Sequence, residues 1–343
     1  MEFKLAFIGF GTVGRGLMEL LLQKQKDLQQ TAGFTYRVVA IHDIILGTLM
    51  NEKGVNGRTA LDLAAEEKSL KNHPDFVKQA DAGHVITSTG ANVIVEVTPT
   101  NIKTGQPAVA HVELALTNRK HVVTTNKGPV ALAFHSLKKL ADENGVEFRF
   151  EGTVMSGTPV FHLCETGLAG ARTKRIRGIL NGTTNYILTQ MEKGIAYEEA
   201  LRDAQQKGYA ETVPHADVLG WDAKAKVLIL ANVLLGAHLR QDDIPCEGIT
   251  TISLDDVKAA QKAGMRWKLI GTVERGKNGV TAGVKPMLLP PDDFLADISG
   301  VTNALSFETD TLGVTTIIGP GAGKIETGFS LLTDLLAIHR KNP

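Results

Sequence analysis

Lys4 to Gly14, KLAFIGFGTVG, decides the fold of the amino-terminal half of the chain. KLAFIG reads as a buried strand, and Gly9, Gly11 and Gly14 follow with the spacing GxGxxG. A helical pattern, GRGLMELLLQKQKDLQQ, begins at the last of these glycines. A strand, this glycine spacing and a helix in immediate succession are typical of a turn that binds a dinucleotide.

Each position of the turn has a predicted role. Gly9 makes the tight bend, Gly11 lets the backbone approach the pyrophosphate, and Gly14 lets the helix pack closely on the strand. Thr12 and Val13 lie at the start of the helix, whose amino terminus faces the phosphates. The alternative is an ordinary glycine-rich turn between a strand and a helix that binds no ligand.

A second strand, Arg37 to Ile41, ends in His42-Asp43. An acidic residue at this place hydrogen-bonds the adenosine ribose and favours NAD. Asp43 lies farther past the glycines than the roughly 20 residues that are usual, so the first helix or its following loop is extended. Lys53 and Arg58 follow in a loop and offer charges to a 2′-phosphate. The sequence therefore favours NAD without excluding NADP.

Strand and helix patterns alternate as far as Phe150 and predict a Rossmann-type, doubly wound parallel sheet. The strand ANVIVEV ends at Thr98-Pro99, and the next strand, His121 to Thr125, ends at Asn126-Lys127. Strand ends at the carboxyl edge face the cofactor crevice, so these residues are expected beside the nicotinamide half. A lysine that merely extends toward solvent is the alternative for Lys127. Helices are predicted at Thr59 to Lys68, Pro74 to Ala80 and Val130 to Asn144.

Composition bounds the class of protein. The 343 residues are enough for two domains with sizeable cores. The formal net charge is zero, which gives no reason to expect nucleic acid or an anionic membrane as a partner. Cys164 and Cys246 form no metal-binding pattern, and a reducing cytoplasm is the expected location. No signal peptide is expected, and the longest apolar run, Val227 to Ala237, is too short to span a bilayer.

A second informative stretch is Gly208 to Lys226, GYAETVPHADVLGWDAKAK. A single helix is predicted from Asp217, as its N-cap, to Leu235, running into the core. Asp222 and Lys226 are then one turn apart on the same face. A lysine beside carboxylates suits a small substrate with an ammonium group and a reacting oxygen. An exposed ion pair is the alternative.

The remainder of the chain predicts an α+β substrate and dimerisation domain. Apolar or alternating patterns indicate strands that form a mixed sheet, at Arg175 to Leu180, Arg266 to Glu274, Val280 to Leu289, Ala304 to Thr309 and Val314 to Ile318. Gly319-Pro320-Gly321-Ala322-Gly323 precedes a final helix, Ile325 to His339. The predicted domains are residues 1–150, completed by 319–343, and residues 151–318.

The stretch GYAETVPHADVLGWDAKAK resembles the substrate-binding segment of homoserine dehydrogenases, whose pattern is GYxExxPxxDxxGxDxxxK. Every fixed position of the pattern is met. The resemblance covers Phe3 to Ile338 and implies the short form of the family, without an ACT or aspartokinase domain. It also implies a homodimer or a dimer of dimers and the interconversion of L-aspartate 4-semialdehyde and L-homoserine with NAD or NADP.

Further site residues follow from the resemblance. The run NGTTNYIL implies that Gly182 and Thr183 border the substrate, and the final glycine turn implies that Gly323 lies beside the cofactor. The segment from Glu151 to Pro159 is similar to one that binds a sodium ion through backbone carbonyls. Carried over, those carbonyls belong to Glu151, Val154, Ser156 and Thr158. A glycine-rich hinge without a metal explains the same segment.

The resemblance also implies roles in the reaction. Glu211 and Asp217 hold the α-ammonium group, and Asp222 orients the substrate and Lys226. Lys226 or Lys127 stabilises the developing alkoxide and delivers its proton. Two alternatives stay open at this point. One is another NAD(P)-dependent amino-acid dehydrogenase of similar architecture, and the other is a non-catalytic NAD-binding sensor.

Overall fold

The computed structural model describes residues 2–341, which divide into two compact units. One unit runs to Gly157 and resumes at Gly323, so it includes the final helix. The other unit is Thr158–Ala322. Within residues 2–341, every helix is too short or too polar to cross a membrane.

The strands are β1 (Phe3–Ile8), β2 (Tyr36–Asp43), β3 (Gly47–Met50), β4 (Phe76–Val77), β5 (Val93–Glu96), β6 (His121–Thr124), β7 (Phe148–Arg149), β8 (Thr173–Ile179), β9 (Arg266–Gly276), β10 (Gly279–Leu289), β11 (Thr302–Thr309) and β12 (Val314–Pro320). The α-helices are α1 (Thr12–Ala32), α2 (Gly57–Glu66), α3 (Ala82–Ser88), α4 (Ala108–Thr117), α5 (Lys127–Asn144), α6 (Gly182–Glu192), α7 (Tyr197–Gln206), α8 (His215–Val218), α9 (Trp221–Leu234), α10 (Leu254–Lys262) and α11 (Lys324–Lys341).

In the first unit, the described strands form one sheet in the order β4-β3-β2-β1-β5-β6-β7. Five neighbouring strands pair in parallel, in the order β2-β1-β5-β6-β7. The other two, β3 and β4, extend the sheet antiparallel at one edge. All four residues of β5 and of β6 are buried. Strands that are buried along their whole length are expected where helices cover both faces of a parallel sheet.

The connections place those helices on opposite faces. From β1 the chain passes through α1 to β2 on one side, whereas from β5 it passes through α4 to β6 on the other side. Because such crossovers are almost always right-handed, α1 and α4 cover opposite faces. The predicted doubly wound fold is confirmed. Its direction reverses between β1 and β5, and ligands of such sheets bind at the carboxyl ends of the strands beside this reversal.

In the second unit, the described strands have the order β10-β9-β8-β11-β12. A mixed sheet was expected, but all four pairings are antiparallel, and the single parallel bridge, between Cys246 and Val284, lies outside this pairing. Two tight hairpins explain the difference. Gly276 pairs with Gly279 across one short turn, and Glu308 pairs with Val314 across the other. Strands joined by such short turns can only run antiparallel.

The single helix predicted from Asp217 to Leu235 is wrong, because Gly220 interrupts it. Gly220 has a φ of +80°, a left-handed conformation that ends α8 and precedes α9. Asp217 therefore lies inside the short α8 and is not the N-cap of the long helix. The expected core position of α9 is confirmed, since its residues 225–232 are all buried.

The helix predicted at Pro74 to Ala80 is also wrong. Phe76 pairs with Leu49 and Val77 with Thr48, which makes this segment the edge strand β4. The local sequence has too few apolar residues to distinguish one helical turn from a short strand, and the pairing with β3 decides between them. The helix predicted from Val130 begins earlier, at Lys127, where Asn126 supplies the N-cap.

Candidate active site

The glycine turn after β1 has the geometry that its spacing predicts. Gly9 has a φ of +98°, and a Cβ atom there would lie 2.6 Å from the carbonyl oxygen of Val97. A Cβ at Gly14 would lie 2.8 Å from the carbonyl oxygen of Gly9. A Cβ at Gly11 would meet nothing within 4 Å, so the backbone there is open to a ligand.

The amino terminus of α1 fits an anionic group. Gly11 is the N-cap residue of α1, and no side chain caps the helix. Thr12 and Val13 begin it, so their amide groups lie in the first turn, where a helix leaves N–H groups without intrahelical partners. The residues present therefore fit the pyrophosphate of a dinucleotide, which the dipole of the helix also favours.

Asp43 lies beside this turn, at the end of β2. Its Oδ2 accepts a hydrogen bond from the backbone N–H of Phe10 at 2.9 Å. Its Oδ1 accepts from the N–H groups of Ile45 at 2.9 Å and Leu46 at 3.0 Å. Asp43 thus joins the end of β2 to the glycine turn, a contact that sequence spacing did not reveal.

A pocket of about 580 Å³ opens next to Asp43. Its walls come from the segment around β3 and from the segment between β4 and α3, and its polar lining residues are His42, Asp43, Thr48, Lys78, Gln79, Asp81 and His84. Neither Lys53 nor Arg58 lines this pocket, and Arg58 lies in the first turn of α2. The lysine that does line it, Lys78, was not singled out from the sequence.

The ends of β5 and β6 meet through Asn126. Its Nδ2 donates to the carbonyl oxygen of Thr98 at 3.0 Å, and its Oδ1 accepts from the N–H of Gly128 at 3.0 Å. Lys127 is the first residue of α5 and is half-buried. In the sequence it lies between Asn126 and Gly128. Asn126 therefore connects Thr98-Pro99 to the start of the helix that carries Lys127.

The second unit holds the charged cluster predicted from Gly208 to Lys226. The Nζ of Lys226 donates to the carbonyl oxygen of Leu180 at 2.6 Å and to Oδ2 of Asp222 at 2.8 Å. Lys226 is only 7% exposed, so the alternative of an exposed ion pair is wrong. The helical spacing that placed Asp222 and Lys226 on one face is confirmed.

Asn181 completes this cluster. Its Nδ2 donates to Oδ1 of Asp217 at 2.7 Å and to Oδ2 of Asp222 at 3.1 Å. Its Oδ1 accepts from the N–H of Thr184 at 2.9 Å and so caps α6. Sequence reasoning missed the bonds to the two carboxylates, because the residues are far apart in the chain.

Burial and charge act together on Asp217. Burial is the largest effect and raises the pKa of Asp217, and the hydrogen bond from Asn181 lowers it. The neighbouring charges follow, with Asp222 raising the pKa, Lys226 lowering it and Glu211 raising it. The carboxylate of Glu211 is exposed, so it joins the cluster through its charge.

Gly182 and Thr183 form the first turn of α6. The hydroxyl of Thr183 donates to the carbonyl oxygen of Tyr209 at 2.6 Å, which links α6 to the start of the charged stretch. A Cβ at Gly182 would lie 2.6 Å from the carbonyl oxygen of Val301, so a larger residue would displace the backbone. Both residues follow Asn181 directly in the chain, at the start of α6.

The segment from Glu151 to Thr158 has an unusual backbone. Met155 and Ser156 have φ angles of +59° and +53°, which cost residues other than glycine about 1–3 kcal/mol each. The N–H of the buried Glu151 donates to Oδ2 of Asp334 at 2.9 Å, and the hydroxyl groups of Ser156 and Thr327 lie 2.7 Å apart. Asp334 and Thr327 both belong to α11, so this helix holds the turn in place.

The final glycine turn leads into α11. Gly323 has a φ of +138°, and a Cβ there would lie 2.0 Å from Oε2 of Glu326. Its carbonyl oxygen accepts from the N–H of Thr327 at 3.0 Å, which begins the helix. Only glycine fits this position, and the first turn of α11 follows directly.

Comparison with known sequences agrees with this geometry. A profile described as "Homoserine dehydrogenase, NAD binding domain" matches residues 9–151, and one described as "Homoserine dehydrogenase" matches residues 159–336. The NAD(+)-dependent homoserine dehydrogenase of Pseudomonas canavaninivorans is 46% identical over 99% of this chain and 97% of its own length. The homoserine dehydrogenase of Methanocaldococcus jannaschii is 40% identical over 97% of both chains.

Solved structures give the same result. A putative homoserine dehydrogenase from Archaeoglobus fulgidus superposes with a TM-score of 0.89, at 36% identity, over 98% of this chain and 99% of that one. A hyperthermophilic archaeal homoserine dehydrogenase in complex with NADPH superposes with a TM-score of 0.85, at 29% identity, over 100% of this chain and 99% of that one. The chain therefore belongs to the homoserine dehydrogenase family.

Proposed function

We propose that this enzyme interconverts L-aspartate 4-semialdehyde and L-homoserine with a nicotinamide dinucleotide. The observation that carries the proposal is a cluster in which the buried Lys226 and Asn181 bond the half-buried Asp222 and Asp217. It offers carboxylates for an ammonium group and a cation for a reacting oxygen. Family membership supports the same reaction and does not favour another amino-acid dehydrogenase or a sensor.

The nicotinamide supplies or accepts the hydride when the cofactor is bound. The glycine turn and the first amides of α1 bind the pyrophosphate, and Asp43 faces the adenosine ribose. Thr98-Pro99 and Gly323 border the cofactor. These assignments rest on the open backbone at Gly11 and on the place of Asp43 beside the turn.

We propose NAD as the preferred cofactor. The carboxylate of Asp43 would repel the 2′-phosphate of NADP. The relative from Pseudomonas canavaninivorans is named as NAD(+)-dependent, whereas a neighbouring structure holds NADPH. Lys78, which lines the pocket beside Asp43, is the group that would moderate this preference. Comparing kcat/KM for NAD⁺ and NADP⁺ tests it, and a higher value for NADP⁺ would overturn it.

The carboxylates of the cluster bind the substrate. Asp217 and the exposed Glu211 attract the α-ammonium group, and Asp222 holds Lys226 in place. Gly182 and Thr183 form the wall beside Asn181. The raised pKa of Asp217, caused first by burial, is expected to fall when a substrate cation binds beside it.

Lys226 is the proposed proton donor to the alkoxide. An ammonium group has three N–H donors, and two of those on Lys226 already bond Leu180 and Asp222. The third remains for the substrate oxygen, at an orientation that the first two fix. Lys127 is the second candidate, as the strand-end lysine of the cofactor-binding unit.

Absorbance of the reduced nicotinamide tests the reaction and the donor together. Purified enzyme with L-homoserine and NAD⁺ should form NADH, and Lys226→Ala should reduce kcat by about 100-fold or more. Lys224→Ala, which removes another lysine of α9, is the matched control and should keep normal turnover. If Lys226→Ala and Lys127→Ala both kept near-normal rates, the mechanism would be wrong.

We further propose a monovalent cation, such as sodium, on backbone carbonyls of the segment from Glu151 to Thr158. The predicted ligands are the carbonyl oxygens of Glu151, Val154, Ser156 and Thr158. The positive φ angles at Met155 and Ser156 support the proposal. Activity or thermal stability that is identical in sodium, potassium and choline chloride would contradict it.

A homodimer is proposed through the open face of the second sheet. Arg175 and Arg177 lie on the same face of β8. Each has an acidic neighbour, Glu274 at 3.7 Å or Asp293 at 2.9 Å, but the Nε atom of each is buried without a hydrogen-bond partner in the described part of the chain. Val314 and Ile318 on the edge strand β12 are 47% and 54% exposed. A second copy would cover this face. Light scattering on eluted enzyme should give twice the chain mass or a multiple of it, and a monomer would refute the proposal.

The cytoplasm is the proposed location. Cys164 and Cys246 are the only cysteines of the sequence, which fits a reducing compartment. Fractionation of cells with an antibody against the protein is the direct measurement, and recovery outside the cytoplasmic fraction would overturn it.

A further inference from the structure

A buried carboxylate lies at the reversal point of the first sheet. Glu96 is the last residue of β5 and is 0% exposed. It stands in register between Ile8 at the end of β1 and Thr124 at the end of β6. Glu96 is not among the residues that bind the substrate or the cofactor, or donate the proton, in the proposed reaction.

The protein satisfies this carboxylate with neutral donors. Oε1 accepts from the N–H of Thr98 at 3.2 Å and from the hydroxyl of the same residue. Oε2 lies 3.2 Å from the hydroxyl of Thr124. His111 of α4 places its Nδ1 3.7 Å from Oε1, beyond hydrogen-bond distance.

Stability alone does not explain a carboxylate here. Burying one costs several kcal/mol, and well-packed apolar residues often serve the fold as well or better. The apolar residues Val93, Ile94 and Val95 fill the rest of β5. Glu96 is therefore expected to serve the two strand ends that it contacts.

Its contacts continue to the start of α5. The hydroxyl of Thr124 donates to the carbonyl oxygen of Glu96 at 2.7 Å and accepts from the N–H of Asn126 at 3.0 Å. Asn126 in turn bonds Thr98 and caps the helix that begins with Lys127. Glu96 thus contacts Thr98 through its carboxylate. It reaches Asn126 through the Thr124 hydroxyl, which lies 2.7 Å from its backbone carbonyl oxygen and 3.2 Å from its carboxylate.

We propose that Glu96 is a positioning residue for hydride transfer, which sets Thr98-Pro99 and the cap of α5 against the nicotinamide. The inference rests on the proposed function, in which these residues border the cofactor. Glu96 acts through Thr98 and Thr124 and touches no reacting atom. Its carboxylate oxygens matter as acceptors, so an uncharged acceptor of the same shape should replace them.

Three variants test the inference. Glu96→Met removes both acceptors at similar volume and should lower kcat by about 10- to 100-fold, because small displacements of reacting groups have effects of this size. Glu96→Gln keeps an acceptor for Thr98 and should restore most of the rate. The dissociation constant of NADH should stay unchanged in both, because the glycine turn and Asp43 are intact. Asn92→Leu, which removes side-chain bonds at the other end of β5, is the control and should leave kcat unchanged.

The deuterium isotope effect separates positioning from general loss of structure. With homoserine deuterated at C4, the effect on kcat should rise in Glu96→Met, because hydride transfer becomes more rate-limiting. A variant that merely unfolds in part would lose active enzyme without changing this ratio. If Glu96→Met does not fold, Thr124→Val is the substitute, because it removes the linking hydroxyl. It should also lower kcat and raise the isotope effect, by smaller amounts.

The inference is overturned if folded Glu96→Met or Thr124→Val turns over at the wild-type rate. It is also overturned if Glu96→Gln is as slow as Glu96→Met. Absence of homoserine oxidation by the wild-type enzyme would refute the proposed function instead, so the two failures are distinguishable.

Discussion

Asn126 and Asn181 occupy similar places in the two units, but they hold different kinds of groups. Each comes two residues after the end of a strand, β6 or β8, and caps the helix that comes next, through Gly128 or Thr184. The amide of Asn126 then donates to a backbone carbonyl, whereas that of Asn181 donates to two carboxylates. The first unit thus uses its asparagine to fix a backbone position, and the second uses its asparagine to hold charges together.

The largest effect is expected from Asn181→Asp. Aspartate caps a helix as well as asparagine does, so α6 should remain. The change removes two hydrogen bonds to charged groups, worth about 1.5–3 kcal/mol each, and adds a third carboxylate beside Asp217 and Asp222. We expect kcat/KM for homoserine to fall by about 100-fold or more, with little change in NADH affinity. Steady-state kinetics and NADH fluorescence titration measure the two quantities, and a near-normal kcat/KM would contradict the comparison.

The same substitution at Asn126 should be milder. Asn126→Asp keeps the cap of α5 and loses the bonds to the neutral oxygens of Thr98, one at 3.0 Å and a long one at 3.4 Å, which are worth about 0.5–1.5 kcal/mol each. We expect kcat to fall by about 10-fold or less, since 1.4 kcal/mol corresponds to a factor of ten. Rates measured side by side with Asn181→Asp give the contrast directly. An equal or larger loss at Asn126 would show that the distinction between the two asparagines is wrong.

Gly220→Ala would disturb the cluster of Asn181, Asp217, Asp222 and Lys226 without changing its charge. A left-handed alanine costs about 1–3 kcal/mol, and its Cβ would lie 3.0 Å from Sγ of Cys246. We expect a lower thermal midpoint and a raised KM for homoserine, because the start of α9 carries Asp222. Gly145→Ala is the matched control, since Gly145 has a φ of +67° and a Cβ there meets nothing within 4 Å. The control should lose stability alone, and a raised KM in it would weaken the assignment.

The smallest expected effect is the pH dependence of stability that Asp217 contributes. Burial raises its pKa above the ordinary value of 3.8, so the folded protein binds this proton more tightly than the unfolded chain does. The charged carboxylate therefore destabilises the fold at neutral pH, and the destabilisation disappears as the pH falls below 3.8.

Asp217→Asn should accordingly melt at a higher temperature than wild type near neutral pH. The difference should shrink in acid, while activity is lost at every pH. Calorimetry across this range measures it, and a difference that grows toward low pH would reverse the sign of the proposed shift.

The prediction from sequence was most successful where one short segment contains the whole signal. The turn from Gly9 to Gly14, the strands that end shortly before Thr98 and Lys127, and the one-turn spacing of Asp222 and Lys226 all follow from local periodicity. The break at Gly220 was missed because the apolar pattern continues through it. The left-handed conformation of Gly220 is recognised only in the folded chain, where Cys246 and Glu247 lie close to it.

The sequence by itself therefore determined the doubly wound fold and the family, and it predicted most residues of the candidate site. Those features depend on contacts between residues that are close together in the chain. Helices and strands repeat the geometry of such contacts at regular spacings. Only the tertiary structure decided that Asn181 joins Asp217 and Asp222, that Asp43 bonds the glycine turn, and that Glu96 holds two strand ends. Such bonds connect residues that the chain separates widely, and a buried polar group acquires its partner only when the sheet and helices bring it there.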